Sequence, residues 1–255
     1  MPDMLARYEF KYLIDAHQVA AIREWARTFC EPDQYGTDGK YEVNSLYFDS
    51  MDWMLANQTI DGVRNRFKIR VRTYGWTDDD VVFCEIKGRV GTSIVKTRAL
   101  LARKYINGLC RGDPPPDGGF PALKASHQDD LNRFRTLVES YDLRPRLWVG
   151  YEREAYQSTY GDGARLTFDT GLQVQPPDDT VPYVPDPTAW MPVTLDGPQI
   201  ILEMKFNGAH PMWMLQLVHE FELYRISCSK YAQGAMIAGH LPWASLERGF
   251  RWTAF

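Results

Sequence analysis

The chain has 255 residues, of which 44% are hydrophobic and 24% are charged, and its formal net charge is −4. This length can bury a substantial core, and the composition excludes a disordered chain. The small negative charge argues against a nucleic-acid-binding protein that works through bulk positive charge. We therefore expect one globular domain over residues 1–255 that does not bind nucleic acid.

Cysteine spacing and hydropathy indicate the cellular compartment in which the protein is expected. The four widely spaced cysteines contain no CxxC pair, which argues against a zinc site or a disulfide framework and indicates a reducing compartment. The N-terminal residues contain no apolar segment of signal-peptide length. No run approaches the ~18 apolar residues that a membrane span needs. We expect a soluble, cytoplasmic protein with no membrane segment in this chain.

Hydrophobic periodicity predicts a mixed succession of strands and helices, most of the strands antiparallel. The predicted strands are Arg7–Ile14, Tyr41–Asp49, the core of Val63–Tyr74, Val81–Arg89, Thr92–Leu101, Arg144–Tyr156, Arg165–Leu172 and Ile200–Phe206. The predicted helices run from Asp15 to about Phe29, over Asp52–Ile60, Phe120–Tyr141 and Pro211–Leu223, and over a short last stretch within Ile226–Gly239.

The remaining segments are predicted as loops. Gly75–Asp80 is a turn whose three aspartates form a solvated hairpin tip, and Asp113–Gly119 is a linker or exposed loop. Residues 173–198 contain seven prolines, which predicts an irregular insertion.

The stretch Val63–Tyr74 carries an unusual alternation of charge. Five cations share one parity, and Phe67, Ile69 and Val71 occupy the other. Because successive side chains of a strand point to opposite faces, the cations line up on one face. The simpler interpretation is a solvated strand with a basic outer face. The alternative is a strand that faces an anion.

The same pattern recurs on other predicted strands, with cations in excess and occasional carboxylates. The charged faces hold Arg7, Glu9 and Lys11; Arg64, Arg66, Lys68, Arg70 and Arg72; Glu85 and Lys87; Lys96 and Arg98; Arg165 and Asp169; and Glu203 and Lys205. Surface ion pairs contribute only ~0–1 kcal/mol each, so stability gives little reason for so many arginines.

A closed barrel explains the pattern better, because closure points one parity of every strand into a lumen. Cations packed into a lumen need a polyanion, and a phosphate chain suits both the guanidinium fork and the lysine ammonium. The sparse carboxylates Glu9, Glu85 and Glu203 could then hold Mg²⁺ or Mn²⁺ against phosphate oxygens. The alternative for each carboxylate is a structural ion pair that orients the neighbouring cations.

Several segments resemble a known family. In chain order they are RYEFKYLI, SLYFDS, RFKIRVRTYG, FCEIKGR, VKTR, VGYERE, RLTFDT, ILEMKF and SKY, from Arg7 to Tyr231. This order is similar to that of the VTC domain, the polyphosphate polymerase branch of the triphosphate tunnel metalloenzyme (CYTH) superfamily. The resemblance implies an α+β fold, with an eight-stranded antiparallel β-barrel that forms a triphosphate tunnel and with helices packed outside.

The resemblance also implies an activity and its residues. A terminal phosphate of a polyphosphate chain attacks the γ-phosphate of ATP, with Mn²⁺ or Mg²⁺ as cofactor. The candidate catalytic residues are Arg70, Arg72, Lys230 and Glu203. The candidate substrate-binding residues are Lys11, Arg66, Lys68, Lys87, Lys96, Arg98, Tyr151, Arg153, Arg165, Lys205 and Ser229. The candidate metal ligands are Glu203, Glu9 and Glu85.

One position departs from the wider superfamily. Its hydrolases begin with an ExExK strand, whereas this chain has Arg7, Glu9 and Lys11 at those positions. The lost carboxylate favours the polymerase branch. A metal-dependent triphosphatase and a non-catalytic polyphosphate sensor stay open, and so does a separate membrane protein as partner.

Overall fold

The computed structural model describes residues 7–74, 81–91, 93–113, 122, 124–180, 183–193 and 199–242. Its strands are β1 Arg7–Asp15, β2 Cys30–Pro32, β3 Lys40–Asp49, β4 Asn65–Thr73, β5 Val81–Val90, β6 Ser93–Ala102, β7 Arg144–Ser158, β8 Arg165–Gln175, β9 Met191–Pro192 and β10 Gln199–Asn207. Its α-helices are α1 Ala16–Phe29, α2 Met54–Ile60, α3 Ile106–Arg111, α4 Gln128–Ser140, α5 Met212–Glu220 and α6 Lys230–Ile237. Short 3-10 helices cover Arg103–Tyr105 and Ala125–His127.

The predicted strands are confirmed, and the main differences lie at the predicted loops and one helix. Of the helix predicted over Phe120–Tyr141, the described residues form a 3-10 turn at Ala125–His127 and a regular α-helix from Gln128. Within the supposed irregular insertion, β8 continues to Gln175 and the short strand β9 pairs with it. The predicted turn at residues 75–80 and residues 114–119 of the predicted linker lie outside the described part of the chain.

The sheet is antiparallel throughout and follows the order β1-β10-β8-β7-β3-β4-β5-β6, with β2 added to β7 and β9 to β8. The prediction of a closed eight-stranded barrel is therefore wrong. The sheet has ten strands within the described residues, and its two terminal strands are not paired with each other.

The outer edges of the two terminal strands already have backbone partners, which opposes closure of the sheet. The edge of β1 is occupied by the segment before α6, where Tyr12 forms a bridge with Arg225 and the Ile226 amide donates to the Lys11 carbonyl at 2.8 Å. The edge of β6 carries a similar bridge from Leu101 to Ala122. Backbone groups that already have partners cannot pair with another strand.

The sheet nevertheless curves strongly, so one face turns inward. Register irregularities in β3 at Tyr47/Phe48 and in β7 at Gly150/Glu152 bend the strands there. Side chains then bridge the gap that the backbone leaves open, since the Lys87 ammonium of β5 lies 3.0 Å from the Glu9 carboxylate of β1. The curved sheet thus encloses an inner face without closed hydrogen bonding.

Most helices cover the outer face, as predicted. Helices α1 and α5 pack on β1, β8 and β10, while α3 and α4 pack on β3 to β6. Helices α2 and α6 differ, because they pack against inner-face residues of β3 and β7. Tyr231 of α6 stacks on Tyr47 of β3 with ring centroids 4.3 Å apart. These two helices therefore close one end of the inner face.

Asp49 stabilises this closed end by binding both helices. Its buried carboxylate accepts hydrogen bonds from the backbone amides of Leu55 and Ala56 in α2 at 2.8 and 3.0 Å, and from the Tyr231 hydroxyl at 2.6 Å. We expect Asp49→Ala to lower the free energy of unfolding by about 1–3 kcal/mol, because buried donors lose their acceptor. Urea unfolding measures this loss, and the exposed Asp52→Ala is the matched control. Equal effects of the two substitutions would contradict this role.

Candidate functional site

The charged side chains that alternate along the strands lie on the inner face of the sheet. Register places Arg72, Arg70 and Lys68 of β4 opposite Phe83, Glu85 and Lys87 of β5. On the other side of the molecule, Lys11 of β1 lies opposite Glu203 of β10. The alternation predicted from the sequence therefore produces one continuous charged surface.

Glu203 is the centre of the first group of charges. Its buried carboxylate lies 2.8 Å from the Lys205 ammonium, 2.9 Å from that of Lys230, 3.3 Å from the Arg153 guanidinium and 3.6 Å from Lys11. Burial alone would raise the pKa of Glu203, but these four cations outweigh burial and hold it well below its usual range. We call Glu203 with these four cations the Glu203 cluster.

Asp169 joins the Glu203 cluster from the neighbouring strand. The Arg153 guanidinium donates to both carboxylate oxygens of Asp169, at 2.6 and 2.7 Å, and the Lys230 ammonium lies 2.6 Å away. Asp169 is 2% exposed. Its negative charge fixes the orientation of two candidate phosphate ligands.

Glu85 is the centre of a second group. Its carboxylate, 1% exposed, lies 2.7 Å from Arg70, 2.8 Å from Arg98, 2.9 Å from Lys96 and 3.9 Å from Arg72. Burial would raise the pKa of Glu85, but Arg70 and Arg72 in particular hold it below its usual range. We call these five residues the Glu85 cluster. One carboxylate that contacts four cations orients them without neutralising them.

Arg70 has the most defined orientation in the Glu85 cluster. Its Nε atom donates to Glu85 at 2.8 Å, and its Nη1 atom donates to the Tyr47 hydroxyl at 2.7 Å. The neighbouring Arg72 donates to the Ser45 hydroxyl at 3.1 Å. Side chains fixed in this way lose little entropy when they bind an anion.

Lys68 differs from the other inner-face cations. Its ammonium donates to the Ser229 hydroxyl at 2.8 Å, and no carboxylate of the described residues pairs with it. Burial lowers the pKa of Lys68 well below its usual value, and the surrounding cations lower it further. Those cations are Lys11, Lys87, Arg66 and Arg70. Lys68 is therefore a cationic side chain without an anionic partner among the described residues, and a bound anion would supply that partner.

Three predicted substrate-binding residues take other positions. Tyr151 is buried beside the Glu203 cluster, with the Lys230 ammonium 4.9 Å from the centre of its ring. Arg165 is bound by Asp33 and by the Tyr41 hydroxyl, outside both clusters. Arg66 belongs to neither cluster, and its guanidinium donates to the Val63 carbonyl.

Sequence reasoning placed Asp169 on a charged strand face but did not identify it as the partner of Arg153 and Lys230. It missed three other partners of the cations, Tyr47, Ser45 and Asp33. These three carried no signal, because a single tyrosine, serine or loop aspartate is common in any sequence.

The inner face keeps a positive excess after all its ion pairs are counted. Its cations are Lys11, Lys68, Arg70, Arg72, Lys87, Lys96, Arg98, Arg153, Lys205 and Lys230, and its carboxylates are Glu9, Glu85, Asp169 and Glu203. Ten cations against four carboxylates give a formal excess of six charges. A surface of this kind stabilises a bound anion of high charge density.

The inner-face carboxylates fit a divalent cation only if phosphate oxygens supply the other ligands. The Lys11 ammonium lies between Glu9 and Glu203, at 3.4 and 3.6 Å. No group of three or more His, Cys, Asp or Glu residues in the described ranges is arranged to hold a metal. Mg²⁺ is held by one or two carboxylates together with substrate phosphates and water. The residues therefore fit a cation that arrives with a phosphate chain.

Comparison with known proteins identifies the family. Residues 6–238 match the VTC domain family. The chain belongs to the VTC domain family. The resemblance seen in the sequence is thereby confirmed. In the described ranges of this VTC domain, no helix combines the length and hydropathy needed to span a membrane.

The most similar curated relatives include subunits of one complex. This VTC domain is 25% identical over 234 residues to vacuolar transporter chaperone complex subunit 4 of Trypanosoma cruzi (strain CL Brener), which covers 80% of this chain and 29% of that protein. It is 27% identical over 146 residues to the subunit of the same name from Schizosaccharomyces pombe (strain 972 / ATCC 24843), over 52% of this chain and 20% of that one. The chain spans less than a third of the length of these relatives.

A solved structure supports the fold. A candidate adenylate cyclase from Bacillus halodurans superposes with a TM-score of 0.51 at 12% identity, over 88% of this chain and 94% of that one. At this identity, the likeness concerns the fold of the VTC domain alone.

Proposed function

We propose that this VTC domain is a polyphosphate polymerase that transfers the γ-phosphate of ATP to the end of an inorganic polyphosphate chain. The observation that carries the proposal is the formal excess of six positive charges on the enclosed inner face. Membership of the VTC domain family supports it. A phosphate chain carries a regular row of negative charges, and it matches a row of fixed cations better than an isolated anion does.

The chemistry makes few demands on side chains. Phosphoryl transfer depends on positioning the two reacting phosphates in line and on stabilising the charge of their oxygens. We infer that the Glu85 cluster holds one part of the phosphate chain through Arg70 and Arg72. The Glu203 cluster holds the other part through Arg153 and Lys230. Glu203 and Glu9 would hold a divalent cation, which would supply neutralisation of the charge on the phosphate oxygens.

The ion pairs of the carboxylates favour transfer over hydrolysis. A triphosphatase needs a carboxylate that can orient water. Glu9 lies 3.4 Å from Lys11 and 3.0 Å from Lys87, and Glu85 contacts four cations. Arg7 also takes the place of the first glutamate of the hydrolase strand. The acceptor of the phosphoryl group is therefore proposed to be a phosphate and not water.

The test is to incubate the purified chain with ATP, tripolyphosphate primer and Mn²⁺ or Mg²⁺, and to resolve the products on a gel while free phosphate is measured. A ladder of polyphosphate supports the polymerase. Free phosphate without polymer would show a triphosphatase. Binding of tripolyphosphate without either product would show a sensor.

The names of the relatives bear on partners. They are subunits of a complex, and they extend well beyond the region matched here. We infer that this domain also works beside other protein parts, including a membrane partner. Co-purification from cell membranes, with and without a high-salt wash, tests this inference.

The lowered pKa of Lys68 predicts that phosphate binding is coupled to proton uptake. A phosphate that reaches Lys68 favours its charged form, so we expect tripolyphosphate binding to take up protons and to weaken as pH rises. Calorimetry in buffers of different ionisation enthalpy measures the uptake. Lys68→Met should reduce it, and an unchanged proton count in this variant would contradict the assignment.

The lowered pKa of Lys68 also predicts that the stability of the unliganded chain depends on pH. An unfolded lysine titrates near ~10.4, and the folded pKa of Lys68 lies lower. Between these two values the unfolded state binds more protons, so stability rises with pH in that window. Lys68→Met should flatten this rise and raise the melting temperature below the window. Melting curves recorded across pH without phosphate measure both effects, and a lower melting temperature of the variant would contradict them.

A further inference from the structure

A separate cavity lies on the outer face of the sheet. It has a volume of about 330 Å³ and is bounded by β4, β5, β6 and α4. Phe67, Ile86, Val95 and Leu137 form apolar parts of its wall. None of the residues of the Glu203 cluster or the Glu85 cluster lines it. The volume is within the range of small-molecule sites, about 300–1,000 Å³.

Three arginines line this cavity. Arg66 and Arg89 are cross-strand neighbours in β4 and β5, and Arg133 belongs to α4. No carboxylate of the described residues forms an ion pair with any of the three. Burial and the nearby Arg89 lower the pKa of Arg66, as expected of a cation without an opposing charge. Neighbouring cations of this kind are stabilised by an anion.

Gly88 keeps the cavity open. It lies between Phe67 and Val95 in the sheet. A Cβ atom added to Gly88 would meet only the Val95 carbonyl oxygen, at 3.7 Å, which is an ordinary contact. The backbone there is not in the left-handed region, so a larger side chain would occupy the cavity without backbone strain.

The edge of the cavity is apolar as well as basic. Val90, Val95 and Tyr141 line it and are 62%, 46% and 46% exposed. A bare phosphate chain would bind the arginines but would leave these apolar side chains in water. A ligand that has both an apolar chain and an anionic group uses both features.

We propose that this cavity binds an amphiphilic anion, with an alkyl or acyl chain over Gly88 and a phosphate or carboxylate group at Arg66, Arg89 and Arg133. The planar guanidinium matches either head group with paired hydrogen bonds. The ligand is either a free alkyl or acyl anion or the head group and chain of a membrane lipid. None of the ten cations and four carboxylates counted on the inner face lines this cavity.

The test compares three probes on the full chain by calorimetry, in the presence of saturating tripolyphosphate so that the inner face is occupied. Octyl phosphate has both features, inorganic phosphate lacks the chain and octanol lacks the charge. We expect octyl phosphate to bind at least about tenfold more tightly than either partial probe. Equal binding of octyl phosphate and inorganic phosphate would overturn the proposal, and so would no binding of octyl phosphate.

Substitutions locate the binding. Gly88→Leu fills the cavity and should abolish octyl phosphate binding, and Arg133→Gln should weaken it about tenfold. Arg135→Gln is the matched control, because Arg135 lies on the same helix but pairs with Glu139 at 3.1 Å. All three variants should bind tripolyphosphate as the unaltered chain does. Unchanged octyl phosphate binding in Arg133→Gln would place the ligand elsewhere and overturn the proposal, even if Gly88→Leu does not fold.

Vesicles separate the two sources of the ligand. Co-sedimentation with phosphatidylcholine vesicles that contain phosphatidic acid, but not with phosphatidylcholine alone, would identify a membrane lipid if Arg133→Gln reduces it. Octyl phosphate binding without vesicle binding would identify a free anion. Vesicle binding that Arg133→Gln leaves unchanged would overturn the assignment to this cavity.

Discussion

Glu203→Gln is expected to abolish polyphosphate synthesis and to destabilise the chain in the absence of phosphate. The substitution keeps the shape of the side chain and removes its charge from the middle of four cations. Loss of one partner from a buried charge network costs about 3–5 kcal/mol. Activity should fall by at least about 10²–10³, because the proposed carboxylate ligand of the divalent cation and the orientation of Lys230 and Arg153 are lost together.

The two effects can be separated with tripolyphosphate. If the four cations form a phosphate site, an added polyanion should replace the missing negative charge and recover most of the lost stability, while activity stays absent. Thermal unfolding with and without tripolyphosphate measures this recovery. Glu152→Gln, at an exposed position of β7, is the control. Loss of stability that tripolyphosphate does not recover, or activity near that of the unaltered chain, would show that Glu203 is only structural.

Arg70→Ala is expected to cause the second large loss. Arg70 is held by Glu85 and the Tyr47 hydroxyl, so its guanidinium is already oriented before an anion binds. An arginine that stabilises a transferring phosphoryl group contributes about 10³–10⁵ to the rate. We therefore expect a fall of this size in kcat. The folded state should lose less than in Glu203→Gln, because three other cations still contact Glu85.

Two further variants make this prediction specific. Arg70→Lys keeps the charge but loses the fork, so its rate should lie between those of Arg70→Ala and the unaltered chain. Arg64→Ala removes an exposed cation of the same parity and should change little. Steady-state rates with ATP and tripolyphosphate decide the matter. Equal rates for Arg70→Ala and Arg64→Ala would remove Arg70 from the mechanism.

The strands could be predicted because their alternation is unusually regular. In β4, cations alternate with Phe67, Ile69 and Val71, and a shift of one residue would place the cations in the apolar core and the apolar side chains on the charged inner face. Closure was predicted wrongly because it depends on backbone pairing at the sheet edges. The bridge from Tyr12 to Arg225 joins residues far apart in sequence. No local sequence pattern predicts such a contact.

The candidate site was predictable in composition but not in its internal pairing. Parity and family resemblance together pointed to Arg70, Glu203 and Lys230, and the structure brings all three to the inner face. Neither signal showed that Asp33 would bind Arg165 or that Arg66 would donate to the Val63 carbonyl. These outcomes depend on the loops and the strand ends, where several partners compete for one cation.

The most direct measurement is the crystal structure of the chain with tripolyphosphate and Mn²⁺. We expect phosphate density along the inner face between Arg70 and Lys230, and an anomalous manganese peak beside Glu203. Phosphate density that lies on the outer face, or an inner face that excludes tripolyphosphate at saturating concentration, would contradict the proposal that the enclosed cations form the polyphosphate site.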